Sequence, residues 1–167
     1  MSDRVPMTKG GLLRLKEELK RLKSIERPKI VKEISEALAH GDLSENAEYH
    51  AAKEKQSHVE GRIQQVEHWI ASAEVIDVAR LAGDRVVFGA TVTLEDGESG
   101  DQVRYRIVGE IEADLKQGKI SVTSPIARAL IGRSEGDEVT VRTPGGPKEY
   151  EIQAVEFVEE ELSVESE

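Results

Sequence analysis

Cysteine is absent from this chain, which excludes disulfide bonds, thiolate metal sites and a cysteine nucleophile. Long apolar runs are also absent, and because a membrane-spanning helix needs about 18 or more such residues, no membrane span is expected. The N-terminus lacks the apolar core of a signal peptide, so we expect the protein to stay in the cytosol.

Aromatic residues are scarce. Trp69 is the single tryptophan, and the remaining aromatic residues are Tyr49, Phe88, Tyr105, Tyr150 and Phe157. This is little material for an aromatic-lined ligand pocket or for a platform on which nucleic-acid bases stack. Both kinds of site are therefore disfavoured.

The charge is unevenly distributed along the 167 residues. The net charge is −10, yet residues 1–75 hold 13 basic and 13 acidic residues, whereas residues 76–167 hold 10 basic and 20 acidic ones. Within the neutral part, residues 9–32 carry nine basic residues against three acidic ones. Such polarisation favours different partners at the two ends of the molecule.

The first part of the chain has the pattern of a helix that begins after Thr8, a plausible N-cap. Its apolar residues recur at helical spacing on both sides of Pro28, as Leu12, Leu15, Leu19 and Leu22 and then Ile30, Ile34 and Leu38. Proline has no amide donor and clashes with the preceding turn, so a kink or short break is expected there. Gly41 is expected to end the helix as a C′ glycine.

A second helical pattern follows and has the seam of a coiled coil. One heptad position is occupied by Ala52, Val59, Val66 and Ala73, and the other by Tyr49, Gln56, Ile63 and Ile70. Two such arms joined by about four residues, 41–44, should pack as an antiparallel hairpin. At 1.5 Å per residue, the arms would be about 44 Å long.

The rest of the chain has strand signals and one short helix, so the fold class is α+β with two domains. Ser124 and Pro125 are expected to open the helix as N-cap and first residue. The predicted strands, which form a small antiparallel sheet, are 85–94, 103–108, 119–122, 138–142 and 149–157. The predicted domains are a hairpin at 1–76, the sheet domain at 77–157 and an acidic disordered tail at 158–167.

Asp42 and Glu45 lie in the segment that joins the two arms, and two interpretations remain open. Asp42 could cap the second helix with Glu45 completing a capping box, an arrangement that also suits the helix dipole. Alternatively, the two carboxylates could share a Mg²⁺ ion, which is often held by one or two carboxylates together with water and substrate phosphates. Such a site would be weak unless a partner supplied the other ligands.

A basic stripe, Lys16, Lys20, Lys23 and Arg27, lies along one face of the first helix at spacings of four, three and four. A solvated coiled-coil face is one interpretation. Like charges four residues apart repel, however, by a few tenths of a kcal/mol per pair. Attraction to a phosphate backbone is the other interpretation.

Several motifs, in order along the chain, resemble the Gre family of bacterial transcript-cleavage factors. They are His-Gly-Asp-Leu-Ser-Glu-Asn-Ala-Glu-Tyr-His-Ala-Ala-Lys at 40–53, Val-Phe-Gly-Ala-Thr-Val at 87–92, Tyr-Arg-Ile-Val-Gly at 105–109, Ile-Ser-Val-Thr-Ser-Pro-Ile-Ala-Arg-Ala-Leu-Ile-Gly at 120–132 and Thr-Pro-Gly-Gly at 143–146. The resemblance covers roughly residues 5–157. It implies a coiled-coil hairpin followed by a domain similar in fold to FKBP.

The resemblance also implies a function. The hairpin would enter the secondary channel of RNA polymerase, where Asp42 and Glu45 would help to hold a second Mg²⁺ beside the catalytic ion of the polymerase. Backtracked nascent RNA would then be cut at its 3′ end. The basic stripe and Lys53 would contact the RNA, and an exposed corner would anchor the sheet domain on the polymerase through Thr123, Ser124 and Pro125.

The protein itself would then be a monomeric cofactor protein and not an enzyme. Two alternatives are kept. One is a relative that occupies the channel and inhibits the polymerase without cleavage. The other is a prolyl isomerase, which is disfavoured because 76–167 holds only Phe88, Tyr105, Tyr150 and Phe157 to line a proline pocket.

Overall fold

The computed structural model describes residues 4–39, 41, 46–78 and 81–158. Its contacts divide the chain into two units, of which the first is Leu13–Ser72. The second unit combines the described residues 4–12 with those from Ala73 onward. Residues 73–76 thus group with the second unit, whereas the sequence analysis assigns them to the first domain. The predicted domain boundaries remain predictions, and the tail from residue 159 lies outside the described residues.

The first unit is built of helices. Helix α1 spans Lys9–Arg21, with its first residues in the second unit, and a π-helical segment, Leu22–Glu26, follows it directly. Helix α2 spans Arg27–Leu38 and helix α3 spans Ala47–Ser72. The α3 helix ends one residue before Ala73, which lies in a strand and not in the predicted heptad seam.

The break expected at Pro28 is present as the π-helical segment. Pro28 lies in the first turn of α2, where its missing amide is harmless, and the amide of Arg27 donates to the carbonyl of Leu22, five residues back. The wider turn accommodates one extra residue. The buried positions of the first arm are accordingly seven, eight and seven apart, at Leu15, Leu22, Ile30 and Ala37.

One detail of the predicted stripe is wrong. Leu38 is 45% exposed, and Ala37, at 2%, occupies the buried position instead. Ile30, Ala37 and Leu38 all lie in the regular helix α2, after the π-helical segment. At about 100° per residue, Ala37 lies about 20° from Ile30 around the helix, whereas Leu38 lies about 80° away.

The two arms pack antiparallel, as predicted. Ala52, Ile63 and Val66 of α3 are buried, and the other helical seam positions are partly buried. Ion pairs cross between the arms. They are Glu18–Arg62 at 2.6 Å, Lys23–Glu67 at 3.1 Å, Arg27–Glu60 at 2.8 Å and Glu33–Lys55 at 3.6 Å. In the last three, the second-arm partner moves back along the chain as the first-arm partner moves forward, as antiparallel packing requires.

The second unit contains two sheets. Strands β1, Val5–Thr8, and β2, Ala73–Ile76, form a parallel pair that the sequence analysis does not predict. The second sheet has five strands in the order β5-β4-β3-β7-β6. Their bounds are β3 Thr91–Asp96, β4 Gln102–Val108, β5 Lys119–Ser121, β6 Glu138–Thr143 and β7 Gly146–Glu156. Helix α4 spans Pro125–Leu130.

The predicted α+β fold class is confirmed, with two differences of detail. All pairs of the larger sheet are antiparallel except β4–β5, which is parallel. The strand predicted at 85–94 begins only at Thr91, because Gly89 adopts a φ of +89° in a turn just before it. The larger sheet and α4 enclose one core, which includes Leu94, Ile107 and Leu130.

Thr8 caps α1, as predicted, but with help from a distant residue. Its hydroxyl accepts a hydrogen bond from the Gly11 amide at 3.0 Å and donates one to the Glu112 carboxylate. That carboxylate also accepts from the amides of Thr8 and Gly109, each at 3.0 Å. In a capping box the acid stands three residues after the cap. Here Gly11 holds that position and has no side chain, so it leaves room for the carboxylate of Glu112. Glu112 is 104 residues away from Thr8 along the chain.

Candidate functional site

The two predicted tip carboxylates, Asp42 and Glu45, lie outside the described residues. The structure does describe where each arm ends beside them. On the first arm, the Gly41 amide donates to the carbonyl of Leu38 at 3.3 Å, and Gly41 has a φ of +101°. The C-cap is Ala39, so Gly41 lies one position later than the predicted C′ glycine.

Asn46 begins the second arm and is its N-cap. Its Oδ1 accepts a hydrogen bond from the Tyr49 amide at 3.0 Å, and its carbonyl accepts from the His50 amide at 3.1 Å. The interpretation of Asp42 and Glu45 as the capping box of this helix is therefore wrong. Sequence analysis missed Asn46, although asparagine is among the best N-cap residues.

Asn46 also joins the two arms. Its Nδ2 donates to the carbonyl of Ala37 at 2.7 Å, near the end of α2. The Asn46 side chain thus caps the second arm and also donates a hydrogen bond to a carbonyl in the last turn of the first arm. Carbonyls in the last turn of a helix lack intrahelical partners. Next to it, the rings of Tyr49 and His50 meet edge to face, with centroids 5.5 Å apart.

The structure divides the predicted basic stripe into two pairs. Lys23 donates to Glu67 at 3.1 Å, and Arg27 makes two parallel hydrogen bonds of 2.8 Å to Glu60. Lys16 and Lys20 are exposed, and no ion pair within the described part of the chain involves them. Two cations thus bind the opposite arm, and two face solvent.

Bidentate arginine–carboxylate pairs hold the arms together. The hydrogen bond from Arg27 lowers the pKa of Glu60, and the same bond raises the pKa of Arg27. Arg62 of α3 likewise donates to Glu18 of α1 at 2.6 and 2.9 Å, and this hydrogen bond lowers the pKa of Glu18. The Arg62 guanidinium also lies 5.1 Å from the centre of the Trp69 ring.

Lys53, the remaining predicted RNA contact, lies on an exposed face of α3. Its ammonium group donates to the side chain of Gln56 at 3.0 Å. Gln56 is a neutral partner, so this contact is a hydrogen bond and not an ion pair.

The predicted corner of the sheet unit is formed as expected. The Ser124 hydroxyl donates to the Ser121 carbonyl at 2.6 Å and accepts from the Ala127 amide at 3.3 Å, so it caps α4. Thr123 and Pro125 on either side are exposed. The capping bonds fix the backbone there, and Thr123 is held further by Ser121, whose hydroxyl lies 2.7 Å from its own and accepts from its amide at 3.1 Å.

In the described part of the sheet unit, the aromatic side chains and the main cavity do not form the apolar pocket that a prolyl isomerase needs. Of its aromatic residues, Tyr105, Tyr150 and Phe157 pack against the core and Phe88 is partly buried. A cavity of about 440 Å³ is lined by six carboxylates and, as its single aromatic residue, Tyr150. Such an acidic lining does not suit the apolar ring of proline.

Within 4–39, 41, 46–78 and 81–158, no three or more acidic or histidine side chains are grouped so that they could hold a metal ion. Among the helices of that same part, none combines the length and apolar character needed to cross a membrane.

Comparisons with known proteins agree along the whole described chain. The N-terminal domain of GreA/GreB transcription elongation factors matches residues 5–75, and their C-terminal domain matches residues 81–157. The chain is 86% identical over 164 residues to transcription elongation factor GreA of Anaeromyxobacter sp. (strain K), covering 98% of this chain and 99% of that one.

A more distant relative carries the same description, and a solved structure is of a related factor. Transcription elongation factor GreA of Xylella fastidiosa (strain 9a5c) is 58% identical over 156 residues, covering 93% of this chain and 99% of that protein. Among solved structures, a GreA factor homolog of Thermus thermophilus is 29% identical, with a TM-score of 0.42 over 92% of this chain and 99% of that one.

Proposed function

Because the chain belongs to the GreA/GreB family of transcription elongation factors, we propose that it acts on RNA polymerase in stalled elongation complexes. It binds the polymerase core, inserts the tip of its hairpin into the secondary channel and stimulates cleavage of backtracked nascent RNA. It acts as a monomer in the cytosol. The observation that carries this proposal is the antiparallel hairpin whose connecting segment holds Asp42 and Glu45.

The dimensions of the hairpin support insertion. Helix α3 has 26 residues, which at 1.5 Å per residue makes it about 39 Å long. The large apolar side chains of α3 lie in the seam, and charged and polar residues make up most of the outward surface of the arms, with Ile25, Val31 and Leu38 as exposed apolar exceptions on the first arm. A slender rod of this length can carry its end into a channel.

The chemistry at the tip requires a partner. Asp42 and Glu45 supply carboxylate oxygens, which suit Mg²⁺, but two carboxylates leave several of its six positions open. The polymerase and the RNA would supply the remaining ligands. A second Mg²⁺ activates water and stabilises the leaving oxygen of a phosphodiester. The protein is therefore a cofactor protein, and hydrolysis belongs to the polymerase.

The divided basic stripe refines the proposed RNA contact. Lys23 and Arg27 would have to leave Glu67 and Glu60 before they could bind a phosphate. Lys16 and Lys20 need no such exchange, so they contribute most of the electrostatic attraction to extruded RNA. Lys53 contacts RNA closer to the tip. Thr123, Ser124 and Pro125 form the anchor on the polymerase.

The test uses purified polymerase stalled on backtracked RNA, with RNA release as the readout. Adding the protein should speed release, and the double substitution Asp42→Asn with Glu45→Gln should abolish the stimulation while binding to polymerase persists. Equal cleavage by wild type and double variant would overturn metal delivery by the tip. Slower transcription without any RNA release by the wild type would instead identify a channel-occupying inhibitor.

A further inference from the structure

A small basic cavity lies in the sheet unit, and the proposed function does not use it. The cavity has a volume of about 250 Å³, and Arg104, Arg106 and Lys119 are among the residues that line it. We propose that it is a binding site for a compact phosphate group, either free or at the end of a nucleotide. The inference goes beyond the proposed function, since none of the lining residues belongs to the hairpin.

The register of the larger sheet brings the three cations together. Arg104 and Arg106 lie two residues apart on β4, so their side chains leave the same face of the sheet. Tyr105, between them, packs against the core on the other face. Lys119 of β5 lies beside Arg106 on one side, and the buried Thr91 of β3 lies beside it on the other. Cations from two neighbouring strands thus converge on the face opposite the core.

The contacts of these cations leave capacity for an anion. Arg104 lies 3.4 Å from Glu156, and both side chains are more than half exposed, so this pair is weak. Arg106 donates to the Val158 carbonyl at 3.2 Å. Within 4–39, 41, 46–78 and 81–158, the ammonium group of Lys119 makes no ion pair or hydrogen bond. Like charges that face each other on neighbouring strands repel, and an anion between Arg106 and Lys119 would offset that repulsion.

Three converging cations suit a phosphate better than a carboxylate. A guanidinium presents a planar fork of donors that matches phosphate oxygens, and an ammonium group adds a compact charge. A terminal phosphate carries a charge of about −1.5 to −2 at pH 7 and three acceptor oxygens, one for each cation. A carboxylate carries a single charge and two oxygens in one plane.

The size and surroundings of the cavity favour a compact ligand over an extended nucleic acid. Its volume lies below the roughly 300–1,000 Å³ that is usual for drug-sized ligands. No aromatic side chain is among the described residues that line it, so bases have no platform on which to stack. Residues 76–167 hold 20 acidic and 10 basic residues, and this excess repels a long polyanion.

The test is titration of the full chain with pyrophosphate, without Mg²⁺, followed through the amide NMR signals of Gly118 and Lys119 in the cavity. Both signals should shift on binding. ADP is titrated in parallel, because it presents the same terminal phosphate at the end of a nucleotide. Binding of ADP as tight as that of pyrophosphate identifies a nucleotide as the source, and weaker binding of ADP identifies the free anion.

Lys119→Gln is the informative variant, because it removes a charge that has no partner in the described part of the chain. It should weaken pyrophosphate binding about tenfold or more, since it removes a charge-assisted hydrogen bond. Arg106→Lys should also weaken binding, because it keeps the charge but loses the fork.

The matched control is Lys116→Gln, which removes the same charge at an exposed position outside the cavity. At physiological salt it should change the affinity by less than about twofold, since screening acts over about 8 Å. Neither lysine substitution should lower the melting temperature, so a loss of binding by Lys119→Gln alone reports on the cavity and not on unfolding.

Four results would overturn the inference, and none of them involves RNA polymerase, so the proposed function is tested separately. The first is the absence of shifts at Gly118 and Lys119 at millimolar pyrophosphate. Equal losses in Lys119→Gln and Lys116→Gln would assign binding to general attraction. An RNA oligonucleotide that displaced pyrophosphate and bound more tightly would identify a nucleic-acid contact. A glutamate-rich peptide that bound as tightly as pyrophosphate would identify a site for acidic peptides.

Discussion

The hairpin and the sheet unit are stabilised in different ways. In the sheet unit, a continuous core of fully buried side chains such as Leu94 and Ile107 lies between the larger sheet and α4. The hairpin has only a line of buried residues along one seam, with solvent-accessible ion pairs on either side of it. Two helices cannot enclose a wide core. The hairpin therefore depends more on polar contacts, which change with salt and pH.

The difference has a functional meaning for an elongation factor of this family. A rod that enters a channel must be narrow, and narrowness limits the apolar area that it can bury. The bidentate pairs Arg27–Glu60 and Glu18–Arg62 compensate in part, although exposed ion pairs contribute only about 0.2–1 kcal/mol each. Asn46 adds a hydrogen bond between the arms, from its Nδ2 to the Ala37 carbonyl.

The largest expected contrast is between two core truncations, Ile107→Ala in the sheet unit and Ile63→Ala in the hairpin. Burial of Ile107 on all sides predicts a loss of about 2–5 kcal/mol in the free energy of unfolding. Ile63→Ala should reduce the free energy of unfolding by an amount near the low end of that range, because the residues of a thin seam can move into the cavity that the substitution leaves.

Trp69, the single tryptophan, lies in α3 and makes this contrast measurable. Denaturant unfolding followed by its fluorescence should shift for Ile63→Ala. Ile107→Ala should mainly accelerate amide hydrogen exchange in strands β3 and β4. If Trp69 fluorescence shifted equally for both variants, the two units would unfold as one, and the contrast would be rejected.

A smaller loss is expected for Gly11→Ala, which tests the distant cap of α1. A Cβ at Gly11 would clash with the Glu112 carboxylate, and crowding of this kind costs about 1–3 kcal/mol. Thermal unfolding should show the loss. The double variant Gly11→Ala, Glu112→Ala should lose less stability than the two single variants lose in sum. Strict additivity would mean that the two residues do not interact.

The smallest expected effect is a dependence of hairpin stability on pH. The hydrogen bond from Arg62 lowers the pKa of Glu18 below 4.5, its value without partners. A lowered folded-state pKa contributes stability that is fully present above the unfolded-state value and is lost as pH falls through the folded-state value. Hairpin unfolding, followed by Trp69, should therefore become easier below about pH 4.5.

Glu18→Gln provides the control for that pH dependence, since the glutamine does not titrate in this range. Its stability should be lower than that of wild type at neutral pH, and its fall on acidification should be shallower. A variant that loses stability as steeply as wild type between pH 5 and pH 3 would show that Glu18 does not contribute, and would leave Glu60 as the other candidate.

Much of the fold follows from local patterns in the sequence. The seam residues Ala52, Ile63 and Val66 are buried as their heptad spacing predicts, because a helix places such positions on one face. Ser124 and Thr8 cap helices as predicted, since a hydroxyl can bond an amide two or three residues on. The burial of Ala37 in place of Leu38 was missed because leucine is the more apolar residue, although Ala37, seven residues after Ile30, is closer to it in phase around the helix.

The candidate site was predictable only in part. The motif at 40–53 identifies the segment that joins the arms, and the positions of Asp42 and Glu45 within it remain a prediction. The capping assignment failed because aspartate and asparagine are almost equivalent N-cap residues. The sequence alone therefore did not show whether Asp42 or Asn46 is the N-cap of α3, and the structure shows that it is Asn46.

By itself, the sequence determined which faces of the helices are apolar, where the chain turns and which family it belongs to, since these depend on near neighbours and on motifs. Only the tertiary structure decided that Asn46 bridges to Ala37, that Lys23 and Arg27 pair with the opposite arm, and that Glu112 completes the cap of α1 from 104 residues away. Asn46 and Ala37 are nine residues apart on opposite arms, and the other partners are 33 or more residues apart. Local spacing carries no information about which polar group across the fold will pair with a given side chain.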